Sequence, residues 1–376
     1  MLFKKIFFKI QFYPPSKKKI LIYDAVGIEY FDKLFFKKDY EIFHNRYEKI
    51  NFFILVKVFI KSGLSNIKKN YKYYYISYVS PKVIITFVDN NPGFYLIKEK
   101  FPEIIFISIQ NGIRNNIDFV DLKKKVKKNK RLADYVLTLS KNFIIKYKEI
   151  FNCQITNIGS FKLNFFSKKN ISLAKDILFI SQNSKNISLR KIVLNEVIII
   201  KTLLNYCNQN NLKLDILLKG KKNILDHFQK EFNLKQNSCL NFITRKNSFE
   251  NYNIIKNYKL IFFLNSTLGY EALALGKKIV SIPFGCNNKK WCKKNNIRYL
   301  EKFGYPSKFK NQGFFWSNQF NKNILYKLLD RVIAVTHLRW KEILKINKCS
   351  DLISYDYKNS ILKKIIKKYV QIEFKK

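Results

Sequence analysis

The chain has 376 residues, enough for two domains that each bury a core, and its 47% hydrophobic content excludes a disordered chain. It carries 72 Lys and Arg against 26 Asp and Glu, a formal net charge of +46. Only eight of the basic residues are Arg, so the excess is almost all Lys and runs alongside inflated Asn, Ile, Phe and Tyr, the pattern of A/T-rich codons rather than of a selected nucleic-acid surface, which would favour bidentate Arg.

The opening stretch Met1 to Tyr13 has a basic start and an apolar run, but Lys9 and Gln11 interrupt it and no small-residue cleavage site follows, so export is not expected. No segment reaches about 18 uninterrupted apolar residues, and a transmembrane helix is not expected either. The expected location is cytoplasmic, with the Lys excess able to hold the protein near an anionic inner membrane. Six scattered Cys and three His form no metal-ligand pattern, so no metal is expected.

Short apolar runs that end in polar or Gly-containing turns alternate with helical spacing, which predicts parallel sheets covered by helices. Lys19 to Tyr23 ends at Asp24, and a helix over Asn51 to Ser62 stops at Gly63. Strands then follow at Val83 to Val88, Ile104 to Ile109, Tyr135 to Leu139 and Gln154 to Ile158. Their ends read Asp89-Asn90-Asn91-Pro92-Gly93, Gln110-Asn111-Gly112, Ser140 and Gly159-Ser160, which suggests one shared functional edge. After a polar linker over Phe166 to Lys175, a second series runs Ile177 to Ser181, Lys213 to Leu218 before Lys219-Gly220, Cys239 to Ile243, Leu260 to Leu264, and Lys278 to Ile282 before Pro283-Phe284-Gly285. Helices are expected over Leu189 to Asn208, Asn323 to Leu344 and Asn359 to Phe374. The predicted fold class is α/β, with two doubly wound, Rossmann-like domains: residues 1–165, residues 176–320, and terminal helices over 321–376 that pack back across them.

The most informative segment runs from Leu260 to Gly285. An apolar strand leads into Asn265-Ser266-Thr267-Leu268-Gly269, and a helix carrying Tyr270-Glu271-Ala272-Leu273 ends at Gly276. The amides at such a helix start seat a phosphate, Gly269 permits close approach, and Glu271 is placed to reach a sugar or ribose hydroxyl. The bland alternative is an ordinary capped helix with a surface Glu. In the first series, Asp89 is a candidate general base and Arg114 a candidate phosphate or carboxylate clamp, against an Asx turn and a surface Arg respectively. Asn90, Asn91, Gln110 and Asn111 line the same predicted edge. Lys219 is a further candidate for meeting phosphates, Gly159-Ser160 at the domain junction is either a hinge, a source of amides for a ligand or a plain turn, and Phe314-Phe315-Trp316 is either a base cover or core.

The run Asn265 to Gly276 resembles the donor-site element of glycosyltransferases of the two-domain GT-B fold. Together with Pro81 to Arg114, Ile158-Gly159-Ser160-Phe161, and Phe303-Gly304-Tyr305-Pro306 through Gly313-Phe314-Phe315-Trp316, the chain resembles bacterial surface carbohydrate biosynthesis proteins of that fold. The resemblance implies metal-independent sugar transfer without a cofactor. The nucleotide-sugar donor would sit mainly on the C-terminal domain, and the glycan or lipid-linked glycan acceptor on the N-terminal one. A nucleotide-sugar epimerase of the same fold and a non-enzymatic anion-binding module are the alternatives, and no specific nucleic-acid partner is expected.

Overall fold

The computed structural model describes residues 10–46, 48–63, 66–126, 132–168, 173–182, 190–219, 238–245, 247–283 and 300–375. The chain divides into two units, Met1–Phe165 with Asp356–Lys376, and Phe166–Tyr355.

In unit 1, apolar β-branched and aromatic runs form six parallel strands. They are β2 (Ile20–Tyr23), β3 (Tyr40–Phe43), β5 (Val83–Thr86), β6 (Ile105–Ile109), β7 (Tyr135–Thr138) and β8 (Gln154–Asn157). A separate parallel pair joins β1 (Ile10–Gln11) to β4 (Ile50–Asn51). The main sheet has the order β3-β2-β5-β6-β7-β8, in register through Ile22 opposite Ile85 and Ile85 opposite Ile107. Every residue of β2, β5 and β7 is buried, as expected of a parallel sheet covered on both faces. The strand order reverses between β2 and β5, so the β2-to-β3 and β3-to-β5 crossovers fall on opposite faces.

Helices in the first part of unit 1 are α1 (Ile28–Leu34), α2 (Phe52–Ser62), α3 (Ile67–Val79), α4 (Pro92–Ile97), α5 (Asn116–Lys125) and α6 (Lys141–Lys148). The Asn51 side chain accepts from the Ile54 amide and starts α2, and Gly63 follows its end with φ +68°. Gly27 has φ +76° and lies so close to the Phe87 ring that a Cβ there would sit 2.4 Å from it. An aromatic cluster of Tyr30, Phe31, Phe87, Phe161 and Phe165 fills that side of the core.

Unit 2 repeats the plan with five parallel strands among the described residues: β9 (Lys175–Ile180), β10 (Leu214–Leu217), β11 (Leu240–Ile243), β12 (Tyr258–Phe263) and β13 (Lys278–Ser281). Their order is β11-β10-β9-β12-β13, so here the reversal falls between β9 and β12. Its helices are α7 (Arg190–Gln209), α8 (Glu250–Lys256), α9 (Thr267–Ala274), α10 (Lys322–Ala334) and α11 (His337–Ile346). Phe303 stacks between Tyr270 and Trp316, with centroids 5.6 and 5.0 Å away, and the Tyr270 hydroxyl accepts from the Gly304 amide at 3.0 Å. The Phe315-Trp316 pair is therefore core, fixed beside β13 by the Ser281 to Phe315 and Ser317 to Ser281 backbone bonds.

Several elements differ from the sequence expectation. The helix expected over Asn323 to Leu344 is two helices, because Val335 is extended and Thr336 caps α11 by accepting from the Arg339 amide. The terminal segment expected over 321–376 is also divided. Helix α10 buries Leu325, Leu328, Leu329 and Val332 within unit 2, while Asp356–Lys376 belongs to unit 1. The expected helix over Asn359 to Phe374 shortens to α12 (Ser360–Lys367), after which Phe374 pairs with Phe35. Part of the expected linker, 169–172, and Gly220, Lys221, Phe284 and Gly285 lie outside the described residues.

The return of the chain to unit 1 is fastened by a buried amide pair. Asn164 Nδ2 donates to Asn359 Oδ1 at 2.9 Å and to the Ile158 carbonyl at 2.9 Å, and Asn164 Oδ1 accepts from the Asp356 amide at 2.9 Å. Asn359 Nδ2 donates to the Phe161 carbonyl at 3.1 Å from a left-handed backbone with φ +54°. Asn359→Ala removes both bonds and leaves a non-glycine residue without local support in that conformation, so a loss of about 2 to 4 kcal/mol is expected. The check is the thermal unfolding midpoint of unit 1, which should fall clearly below that of an exposed control such as Asn90→Ala.

Candidate functional site

In a parallel sheet both faces are covered, so polar groups collect where the strands end, and the place where strand order reverses leaves a crevice. Each unit has one such place.

In unit 1 it lies beyond β2 and β5. Asp24 ends β2 with φ +88° and is buried; its Oδ1 accepts from the Val26 amide at 3.1 Å and its Oδ2 from Arg46 Nε at 3.0 Å. Asp89 follows β5 and is fully buried. Arg114 holds it bidentately: Nε donates to Oδ2 at 2.8 Å and Nη2 donates to Oδ1. The Tyr147 hydroxyl donates to Oδ2, and the Asn111 amide donates to Oδ1 at 3.1 Å. Arg114 Nη2 also donates to Asn111 Oδ1 at 2.6 Å. The Tyr95 hydroxyl donates to the Asp89 carbonyl at 2.6 Å and bonds Ser108.

The electrostatics follow from this burial. Desolvation works against the Arg114 charge, yet the Asp89 charge and hydrogen bonds hold the guanidinium above its ordinary value. Burial, and next the Asp89 charge, push both Tyr95 and Tyr147 well above the ordinary phenol value, so they stay neutral donors. A carboxylate that already accepts from four donors is poorly placed to take a further proton from a substrate hydroxyl. The geometry ties Asp89, the general base the sequence suggested, to Asn111 and Arg114 at the sheet edge.

The other candidates of unit 1 divide. Gln110 is buried and spans two strand ends, with Oε1 accepting from the Leu139 amide and Nε2 donating to the Gly112 carbonyl, both at 3.0 Å. Asn91 caps α4 by accepting from the Gly93 amide at 3.0 Å, and Asn90 is exposed. Gly159 and Ser160 belong to unit 1 and serve a turn. Gly159 has φ +72°, while the Ser160 hydroxyl accepts from the Leu163 amide at 3.3 Å and its carbonyl from the Asn164 amide at 2.9 Å.

In unit 2 the reversal brings the ends of β9 and β12 together. Asn265 ends the run from β12, Ser266 is the extended N-cap of α9, and its side chain makes no capping bond. Gly269 packs on the Phe263 ring, where a Cβ would sit 2.2 Å from the ring carbon. That contact draws the start of α9 down onto β12 and leaves Ser266 and Thr267 half-exposed above buried Leu268 and Glu271. Across the reversal, Glu196 of α7 is fully buried and accepts from the Ser181 hydroxyl at 2.6 Å and the Gln182 amide at 2.7 Å. Gln182 Oε1 in turn accepts from the Asn265 amide at 3.3 Å, so the two strand ends are tied. Lys219 stands exposed at the end of β10, two strands from β12.

Sequence reasoning missed Tyr95, Tyr147, Gln182 and Glu196. Glu196 carried a usable signal, since it is the one acid in the apolar stretch from Ile192 to Ile200. Tyr147 carried none, because nothing distinguishes one Tyr among 23 and its partner lies 58 positions away.

Residues 107–370 match a protein family described as "putative O-antigen biosynthesis protein". The chain belongs to that family. It is thus a surface-glycan biosynthesis protein, and its paired α/β units are of the GT-B-like class. No curated protein matches the sequence. Among solved structures, the chain is similar to S. aureus MnaA, solved with UDP, at 13% identity and TM-score 0.56 over 94% of this chain and 97% of that one. It is also similar to the UDP-GlcNAc 2-epimerase from Neisseria meningitidis, solved with UDP-GlcNAc, at 10% identity and TM-score 0.51 over 93% and 99% of the two chains. At these identities the likeness is one of fold.

Removing either charge of the buried pair strands the other. Asp89→Asn and Arg114→Gln are each expected to cost about 3 to 5 kcal/mol, and the double variant less than their sum. A double-mutant cycle by chemical denaturation measures this coupling. Additive costs would mean that the two side chains do not act as one clamp.

Proposed function

We propose that the chain is a glycosyltransferase that moves a sugar from a nucleotide-activated donor to a growing surface polysaccharide or lipopolysaccharide glycan. The observation that carries this reading is the placement of the α9 N-terminus, with Ser266 and Thr267 half-exposed, at the strand-order reversal of unit 2. The positive end of the α9 dipole stands there, at the strand-end crevice. A donor diphosphate seated there has its leaving-group charge stabilised as the bond to the anomeric carbon breaks. Glu271, one turn along, is assigned to donor hydroxyls, and Lys219 to the phosphates. The Glu196–Ser181–Gln182–Asn265 chain keeps the two strand ends at fixed spacing around the donor.

On unit 1, Asn90, Asn91, Gln110, Asn111 and Arg114 are assigned to the acceptor side, with Asp89 positioning Asn111 and Arg114. No resident metal or cofactor is invoked, since leaving-group stabilisation by amides and Lys supplies the chemistry. Sugar epimerisation, the rival on the same fold, needs acid and base groups facing the sugar.

The test is thermal stabilisation of the protein by CMP-, UDP-, GDP- and dTDP-linked sugars, followed by product analysis. One nucleotide class should stabilise the protein by about 2.7 kcal/mol at a hundred times its Kd, and Glu271→Ala and Gly269→Ala should each abolish the shift. Ser266→Ala should leave most of it, because the seat is made of backbone amides. With acceptor glycan present, the free nucleotide should accumulate, a diphosphate from UDP-, GDP- or dTDP-sugars and CMP from a CMP-sugar. A new sugar epimer formed without acceptor would establish epimerisation instead.

A further inference from the structure

Helix α2 in unit 1 is apolar on two opposite faces. Ile54 and Val58 point into the core, whereas Phe52, Val56, Phe59 and Ile60, spaced i, i+4, i+7 and i+8, are exposed by 44%, 36%, 48% and 74%. Beside the start of the helix, Phe12 and Tyr13 are 55% and 86% exposed. Phe12 packs against Phe52 at 5.6 Å, and Asn51 Nδ2 holds the Tyr13 carbonyl at 2.6 Å, so the loop and the helix stripe form one patch. Scattered exposed apolar residues need no explanation, but six contiguous ones do.

Along the chain through α2 and α3 the charges have one sign. Between Glu48 and Asp89 there is no acidic residue, while Lys49, Lys57, Lys61, Lys68, Lys69, Lys72 and Lys82 fall in that interval. Lys57 lies over the Phe53 and Tyr78 rings at 4.6 and 4.9 Å, and Lys61 over Tyr74 at 6.0 Å, which places both ammonium groups along the flank facing α3. An amphipathic stripe of aromatics and aliphatics edged by Lys is the composition that lies in a bilayer interface, rings at headgroup depth and Lys among anionic headgroups. A second copy of this chain would bring the same Lys flank against itself in a protein of formal charge +46, which disfavours self-association through this face. No helix among the described residues is long and apolar enough to cross a membrane, so the contact would be peripheral.

We propose that the Phe12-Tyr13 loop and the outer face of α2 form a docking surface for an anionic lipid bilayer. The surface is independent of the donor-site reading, since it shares no residue with it. The experiment is co-sedimentation of the full chain with vesicles of phosphatidylcholine alone and with about one-third phosphatidylglycerol, at low and high salt. Binding to the anionic vesicles is expected, weakened by salt. Phe59→Ser with Ile60→Ser, which changes no charge and no buried side chain, should weaken it by about tenfold or more. Ile145→Ser, an equally exposed apolar residue on α6, should leave it unchanged. Circular dichroism confirms that the variants fold. Equal binding by the double variant and the wild type would overturn the proposal, because charge alone would then suffice. So would a dimer in light scattering that the double variant dissolves, because a second copy would then be the occupant.

Discussion

Everything polar in this protein is governed by the cost of covering a parallel sheet on both faces. Strands such as Val83–Thr86 and Tyr135–Thr138 are buried along their whole length, so no side chain on them is free to meet a substrate. The chain can place chemistry only where strands run out, and each doubly wound order opens just one gap between neighbouring crossovers there. Asp24 and Asp89 gather at that gap in one unit, and Gln182, Asn265 and Ser266 gather at it in the other. The two sets arise from the same constraint acting twice.

The two units meet it in opposite ways. Unit 1 fills its gap with a closed polar network in which Asp89 accepts from Arg114, Tyr147 and the Asn111 amide, so that the buried charge is fully compensated. Such a network is rigid and offers its outer edge for recognition. Unit 2 closes only the seam between strands, through Glu196, and leaves the helix start above it without a side-chain cap. The positive end of a helix dipole is stabilised further by an anion in place.

Sequence periodicity was sufficient for the strands that are uniform apolar runs and for helices with strong caps, such as α2 after Asn51 and before Gly63. It failed for β3, whose Tyr-Glu-Ile-Phe reads as no clean run, and for the break at Val335-Thr336, where the apolar spacing continues across an extended residue. The candidate site was legible as positions and not as roles. Asp89 and Arg114 were both visible at strand ends, but a carboxylate looks the same in sequence whether it faces a substrate or a guanidinium. Only the distances to Arg114, Tyr147 and Asn111 decide, and those depend on elements far apart in the chain.

Composition and placement must likewise be kept apart. The Lys excess is spread along the sequence, and a base composition that inflates Lys also inflates Ile, Phe and Tyr, so neither the charge nor the apolar content is a sign of selection by itself. Drift of that kind should nonetheless sort by burial, because an exposed Phe or Ile gains nothing from folding and invites association. The core obeys this sorting, with Ile54 and Val58 inside. On α2 the opposite face breaks it four times in succession at helical spacing, beside two more exposed rings and within an interval empty of acids. Codon bias accounts for the supply of these residues but not for their alignment on one surface. The proposed bilayer contact accounts for that alignment.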